Sequence, residues 1–127
     1  TEIDLPSRNH ETVTEFGYPM YAEGLDRASK WLSKLNLPIE ITENGVADKE
    51  DNLRPKHLKR HLWMIAKLIQ EGIDIKSYYH WSLMDNFEWA EGYTMRFGLY
   101  HVDYETQTRT LRASGKAYQS IIKQHQK

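Results

Sequence analysis

Apolar side chains recur along this chain in two rhythms, and the switching between them is its main structural signal. Leu25, Ala28, Leu32 and Leu35 form a helical stripe across Gly24–Asn36, with Trp31 at its edge. Pro38 stops that helix and opens a strand, Ile39–Glu43, which runs into the turn pair Asn44-Gly45 and the acidic loop Asp48–Asp51. A second helix starts near Pro55, a residue favoured in a first turn, and its face carries Leu58, Leu62, Ile65 and Ile69 before Gly72 closes it. Ile73–Tyr79 is β-branched and aromatic enough for a second strand. Trp81–Thr110 reads as a long loop with a brief strand over Phe97–Asp103. Ser114 is the expected N-cap of a last helix that turns Tyr118, Ile121 and Ile122 inward. Thr1–Gly17 has no sustained period and reads as an extended loop.

Strands that alternate with helices imply parallel βα units, so the fold class is α/β. Two strands cannot close a barrel, and a (β/α)8 barrel takes ~250 residues. The chain has 127 residues and supplies about a quarter of the βα units of such a barrel. Its residues 1–127 are therefore expected to be one segment, incomplete by itself.

Composition narrows the function. With a net charge of -1 there is no basic field for a nucleic-acid backbone, so no nucleic-acid partner is expected. No apolar run nears the ~20 residues that span a bilayer, and no basic-then-apolar leader pattern stands at the start. Cysteine is absent, which removes disulfides and thiolate metal sites and suits a reducing compartment. The expectation is a soluble, cytoplasmic protein with no membrane partner.

Two segments carry the chemistry. Pro38–Gly45 ends a strand in a carboxylate, Glu43, at a turn. Trp81–Trp89 holds Trp81, Asp85, Asn86, Glu88 and Trp89 within nine residues. Flat apolar rings beside hydrogen-bonding acids suit a sugar, which offers an apolar C–H face and a rim of hydroxyls. A carboxylate on a rigid strand end is where glycoside chemistry holds its nucleophile.

Ile41-Thr42-Glu43-Asn44-Gly45, Trp81-Ser82-Leu83 with Asp85-Asn86-Phe87-Glu88-Trp89, and Gly92-Tyr93 with Arg96-Phe97-Gly98-Leu99 resemble the C-terminal part of family 1 glycoside hydrolases, the retaining β-glucosidases and β-galactosidases. The likeness runs from about Gly17 to Gln126 and includes the approach segment Phe16–Leu25. It implies that Ile39–Glu43 and Ile73–Tyr79 are strands seven and eight of a (β/α)8 TIM barrel, ending at the face where such barrels keep their sites. It implies Glu43 as catalytic nucleophile and Trp81 as a sugar-stacking platform. Glu88 would accept from the 4- and 6-hydroxyls, Trp89 would donate to the 3-hydroxyl, and Phe97 would line the same subsite. No cofactor or metal is implied. A carboxylate at Glu88 repels phosphate, so the expected substrates are non-phosphorylated β-glycosides.

Departures from the family pattern are Tyr18 and Ala22, where Trp and Pro are usual, Glu40 at an apolar or aromatic strand position, and Ser77 where Gly is common. Tyr18 and Ala22 are expected to touch the approach to the helix, not the chemistry. Glu40, by period two, is expected to point away from Glu43 toward the helix layer. The Asn-Glu-Pro motif that carries the acid/base glutamate is absent from these residues. The reading is therefore an enzyme that works with a second chain carrying the N-terminal barrel strands; the alternative is a non-catalytic carbohydrate-binding pseudo-glycosidase or an inactive fragment. His57 and His61 are spaced for a metal but are expected to be solvated or edge-packed. Asp48–Asp51 and Lys56–Arg60 are expected as wet surface, and Tyr78–His80 as strand packing, with His80 close to the pocket rim.

Overall fold

The computed structural model describes residues 12–125. In chain order these form α1 (Ala22–Leu32), a 3-10 turn (Ser33–Leu35), β1 (Ile39–Asn44), α2 (Arg54–Gln70), β2 (Ile75–His80), a second 3-10 turn (Trp89–Glu91), β3 (Tyr100–Val102), β4 (Arg109–Leu111) and α3 (Ala113–His125). Strands β1 and β2 pair in parallel, and β3 and β4 form a small antiparallel hairpin. Among the described residues no helix is long and apolar enough to cross a membrane. The extended loop expected over Thr1–Gly17 lies largely outside the described residues. Its last part forms a turn, with Val13 bridged to Pro19.

Helix α2 forms the backbone of the packing. Pro55 lies in its first turn, where a missing N–H leaves nothing unpaired. The free N–H groups of Leu53 and Arg54 both donate to the Asp48 carboxylate, at 2.7 and 2.8 Å. Its inward face carries His57, Leu58, His61, Met64, Ile65 and Leu68. The seam is thus rotated from the expected one: Leu58 and Ile65 are inside, but Ile69 is exposed. His57 and His61, expected at the edge, stack within the interior with ring centroids 3.9 Å apart.

Helix α1 departs further. Its buried residues are Ala22 and Ser29, while Trp31, Leu32 and Leu35 are exposed. Asp26, Lys30, Lys67 and Glu71 form an ion-pair network between α1 and α2. Such exposed pairs contribute little individually. Of the predicted stripe only Leu25 is half-buried; Ala28, Leu32 and Leu35 are exposed.

The acidic loop after β1 is wet surface only at Lys49 and Glu50, and its two aspartates turn inward. Asp48 is buried, and Asp51 pairs with Arg54, which is fully buried. Asp51 also accepts the Ser114 N–H at 2.8 Å, so the N-terminus of α3 is capped by the β1–α2 loop. Ser114 itself lies one residue inside the helix and is buried, and does not act as the cap. Tyr118 reaches Tyr78 edge-on at 6.3 Å, and Ile122 is exposed. The loop Trp81–Thr110 contains the β3 strand expected there, but its partner β4 is polar and three residues long, too short for a period to register.

The β1–β2 register is Ile39↔Ile75, Glu40↔Ser77, Ile41↔Tyr78 and Asn44↔His80, with irregularities after Ile39 and after Ile41. Ile39 and Ile41 are buried and Ile41 lies beside Tyr78, whose ring meets α3, so these residues face the helices. Glu40 therefore points away from the helix layer, opposite to the expected direction, and is exposed. Three residues of β1 span two of β2 between Ile41 and Asn44, a bulge that releases Glu43 from simple alternation.

Leu68 is fully buried and Leu35 is 61% exposed. Leu68→Ala is expected to lower stability by about 2–5 kcal/mol and Leu35→Ala by less than about 0.5 kcal/mol, as read from urea unfolding midpoints.

Candidate active site

The site begins where the two parallel strands end. The Trp81 N–H donates to the Asn44 carbonyl at 2.9 Å, placing the first residue after β2 beside the last residue of β1. Tyr78 adds a side-chain clamp, its hydroxyl donating to Asn44 Oδ1 at 3.0 Å. Gly45 is required here: a Cβ on it would lie 1.6 Å from the Trp81 carbonyl oxygen. The Trp81–Ser82 peptide bond is cis.

Beyond Trp81 the chain runs beside the segment that leads into β3. Ser82 N–H donates to the Phe97 carbonyl (3.2 Å), Leu99 N–H to Ser82 (2.9 Å) and Tyr100 N–H to Leu83 (2.9 Å). Asn86 Nδ2 donates to Ser82 Oγ and to the Met84 carbonyl, turning the chain outward toward Glu88 and Trp89. Glu88 N–H donates to the Gly92 carbonyl at 2.7 Å and closes that turn. Trp89 lies on the rim, exposed.

These elements border one open cleft of about 490 Å³, and it brings together Glu43, Trp81, Glu88, Trp89 and Phe97. All five residues singled out in the sequence therefore lie along a single concavity. Its wall is completed by Asn44, Gly45 and two residues not expected there from the sequence, Phe16 and Tyr18. Phe16 stacks on Tyr18 at 5.3 Å and meets Phe97 at 6.0 Å. Tyr18, expected to matter only for the approach to α1, belongs to the cleft. A departure from the family pattern at an aromatic position was the signal that could have marked it.

Behind the cleft lie charged groups that sequence reasoning also missed. Asp85, 3% exposed, accepts from Gly98 N–H (2.9 Å), Val102 N–H (3.2 Å) and Arg112 Nη2 (3.1 Å), with Arg96 Nη1 and His101 Nδ1 each at 3.4 Å. Arg96 also lies over the Tyr104 ring at 4.5 Å. Arg54 donates to Asp51 and to the carbonyls of Asp48 and Arg96, at 2.6 and 2.7 Å for the last two. Burial pulls the Arg54 pKa below its ordinary value while Asp51 and Asp48 push back. Burial also lowers His57 to about 3, helped by the nearby charges of His61, His80, Arg54 and Arg60, and lowers His80 to about 4, helped by Arg54. Among the described residues no group of three His, Cys, Asp or Glu is placed to hold a metal ion.

A strand-end carboxylate and an indole-rich loop thus border the same cleft. The profile of Glycosyl hydrolase family 1 matches residues 3–127, and the chain belongs to that family. It is 40% identical to the β-galactosidase of Sulfolobus acidocaldarius, over 87% of this chain and 23% of that protein. It is 45% identical to the β-glucosidase of an Agrobacterium species, over 87% of this chain and 26% of that one. The β-glucosidase of Thermotoga maritima in complex with galacto-hydroximolactam superposes with a TM-score of 0.87 at 38% identity, over 92% of this chain and 29% of that structure. The chain thus spans about a quarter of the length of the relatives it matches, and corresponds to part of their (β/α)8 barrel.

The buried histidines give the folded state a definite pH response. Their folded pKa values lie below the free value of about 6.5, so the unfolded chain binds more protons than the folded one between those limits. Their contribution to stability is full above about pH 6.5 and is lost as pH falls toward about 4 for His80 and about 3 for His57, by about 1.4 kcal/mol per unit and per histidine within each window. Urea midpoints at pH 7 and pH 5 check this; equal midpoints would contradict buried, neutral rings.

Proposed function

We propose that this chain supplies the nucleophile and much of the sugar-binding wall of a retaining β-glycosidase acting on non-phosphorylated β-D-glycosides. The observation that carries this reading is the convergence of Glu43 with Trp81, Glu88, Trp89 and Phe97 on one cleft. In this reading β1 and β2 are strands seven and eight of the barrel. Glu43 attacks the anomeric carbon and forms a glycosyl–enzyme bond as the leaving oxygen takes a proton from a second carboxyl ~5–5.5 Å away. Water, deprotonated by that same carboxylate, then cleaves the intermediate with net retention. Trp81 stacks on the sugar's C–H face. Glu88 and Trp89 address its hydroxyls, and Phe97 closes the side of the pocket.

The acid/base glutamate comes from outside these 127 residues, on strands that complete the barrel. The paired sheet supports this: among the described residues β1 and β2 pair only with each other, so each keeps a free edge, and Glu40, Thr42 and Tyr79 are exposed. Parallel sheets occur almost only with both faces covered. The missing strands, on this polypeptide or on a second one, complete the site, and the β-glycoside is the substrate they share with this segment.

In the assembled protein Glu43→Gln is expected to reduce hydrolysis of an aryl β-glucoside by about a thousandfold or more with folding intact. Activity within a few-fold of wild type would remove Glu43 from the mechanism. A 2-fluoro glucoside trap followed by peptide mapping should label Glu43 itself. Glu88→Ser is expected to raise the ratio of kcat/KM for 6-phosphorylated over neutral glucosides, because a like charge next to the phosphate is removed; an unchanged ratio would rule out Glu88 as the residue that excludes phosphate. Native mass spectrometry of the active species should find a second segment with an Asn-Glu-Pro strand end. Turnover by this chain alone would overturn the shared site.

A further inference from the structure

Phe97 lies between two peptide groups, each held by a buried charge. The carbonyl before it, that of Arg96, accepts from Arg54 Nη2 at 2.7 Å and from the Asp48 N–H at 2.9 Å. The N–H after it, that of Gly98, donates to Asp85 Oδ1 at 2.9 Å. Its own carbonyl accepts the Ser82 N–H, so whatever fixes Phe97 also fixes the residue after Trp81. The segment is pressed close at this point: a Cβ on Gly98 would lie 2.2 Å from the Asp85 nitrogen.

A buried ion is unfavourable unless its partners surround it, and apolar residues would fill these positions with less penalty. Both ions are neutralised locally, Arg54 by Asp51 and Asp85 by Arg112 and Arg96. Their remaining hydrogen bonds go to backbone groups: two flank Phe97, at the Arg96 carbonyl and the Gly98 N–H, and the others hold the Asp48 carbonyl and the Val102 N–H. Apolar packing fills space but does not orient a peptide plane; a guanidinium fork and a carboxylate do.

We propose that Arg54 and Asp85 are positioning residues for the sugar pocket, fixing the Phe97 backbone from both sides and so setting where its ring lies in the cleft. The inference rests on reading the cleft as a glycoside site. Phe97 would touch the sugar in the ground and transition states alike, so misplacing it weakens binding more than it slows chemistry.

The test is a double-substitution cycle on the assembled protein with p-nitrophenyl β-D-glucoside. Asp85→Asn and Arg54→Lys should each raise KM about tenfold and change kcat less than about threefold. In a Phe97→Leu background, Asp85→Asn should add less than about twofold to KM. The same effect in both backgrounds would overturn the proposal, since the carboxylate would then act by another route. Amide exchange in the same assembly gives a second readout: Asp85→Asn should accelerate exchange at Gly98 by about tenfold, and unchanged protection there would overturn the clamp. An assembly without turnover whose Gly98 amide still loses protection counts against the glycosidase function and for the clamp. If Asp85→Asn does not assemble, Arg54→Lys, which keeps the charge and loses the planar fork, carries the cycle: loss of its KM effect in the Phe97→Leu background supports the clamp, and an undiminished effect overturns it.

Discussion

The hydrogen bond from the Trp81 N–H to the Asn44 carbonyl joins the ends of the two parallel strands, and everything in the cleft depends on it. Parallel pairing alone would leave Glu43 and Trp81 on neighbouring strand ends with no fixed relation. The bulge between Ile41 and Asn44 re-aims the end of β1, and Gly45 lets the following backbone pass the Trp81 carbonyl without a side chain between them. The carboxylate and the indole loop then meet because the backbone brings them together, before any side-chain contact is made.

Behind that junction the chain uses charge where a small domain would usually use hydrocarbon. Asp48 caps α2, Asp51 caps α3 and pairs with Arg54, and Arg54 reaches across to the Arg96 carbonyl. Asp85 then gathers Gly98, Val102 and Arg112 from the opposite side. Each of these side chains has several partners, although the buried Arg54 Nε has none, and an interior built this way is costly to disturb at one point because its neighbour is left charged and unpaired. The loops that border the cleft are therefore held by orientation-specific bonds, although they have little regular secondary structure of their own.

Much of the local structure could be read from the residues. The strand ending in Glu43 and the second parallel strand followed from short β-branched runs next to Pro38 and Gly72. Four of the five cleft residues lie in two compact motifs that follow strand ends, where position along the chain almost fixes position in space, and Phe97 came with the third segment of the family resemblance. What failed depended on partners distant in sequence. The α1 leucines look like core by period, yet Ala22 and Ser29 are the residues the helix buries. Asp48 and Asp51 look like a solvated run until Arg54 is seen turned inward beneath them. His57 and His61 look polar, but burial holds them neutral and packs them as rings. Ser114 looks like a cap, and the cap comes from Asp51, 63 residues earlier. Tyr18 belongs to the cleft only because the turn before α1 folds back toward Phe97.

Glu40 ties the strand pattern to the unfinished barrel. Helices cover one face of the β1–β2 sheet, and Ile39, Ile41 and Tyr78 meet them there. Glu40 stands on the other face, exposed to solvent. Closing a barrel over that face would take the carboxylate out of water, and an unpaired buried charge is strongly disfavoured. A set of strands that completes this chain must therefore bring a donor or a cation, or leave a water channel, opposite Glu40. A generic apolar barrel interior would not fit. The same residue that breaks the apolar pattern of the strand thus restricts which completing strands can close over it.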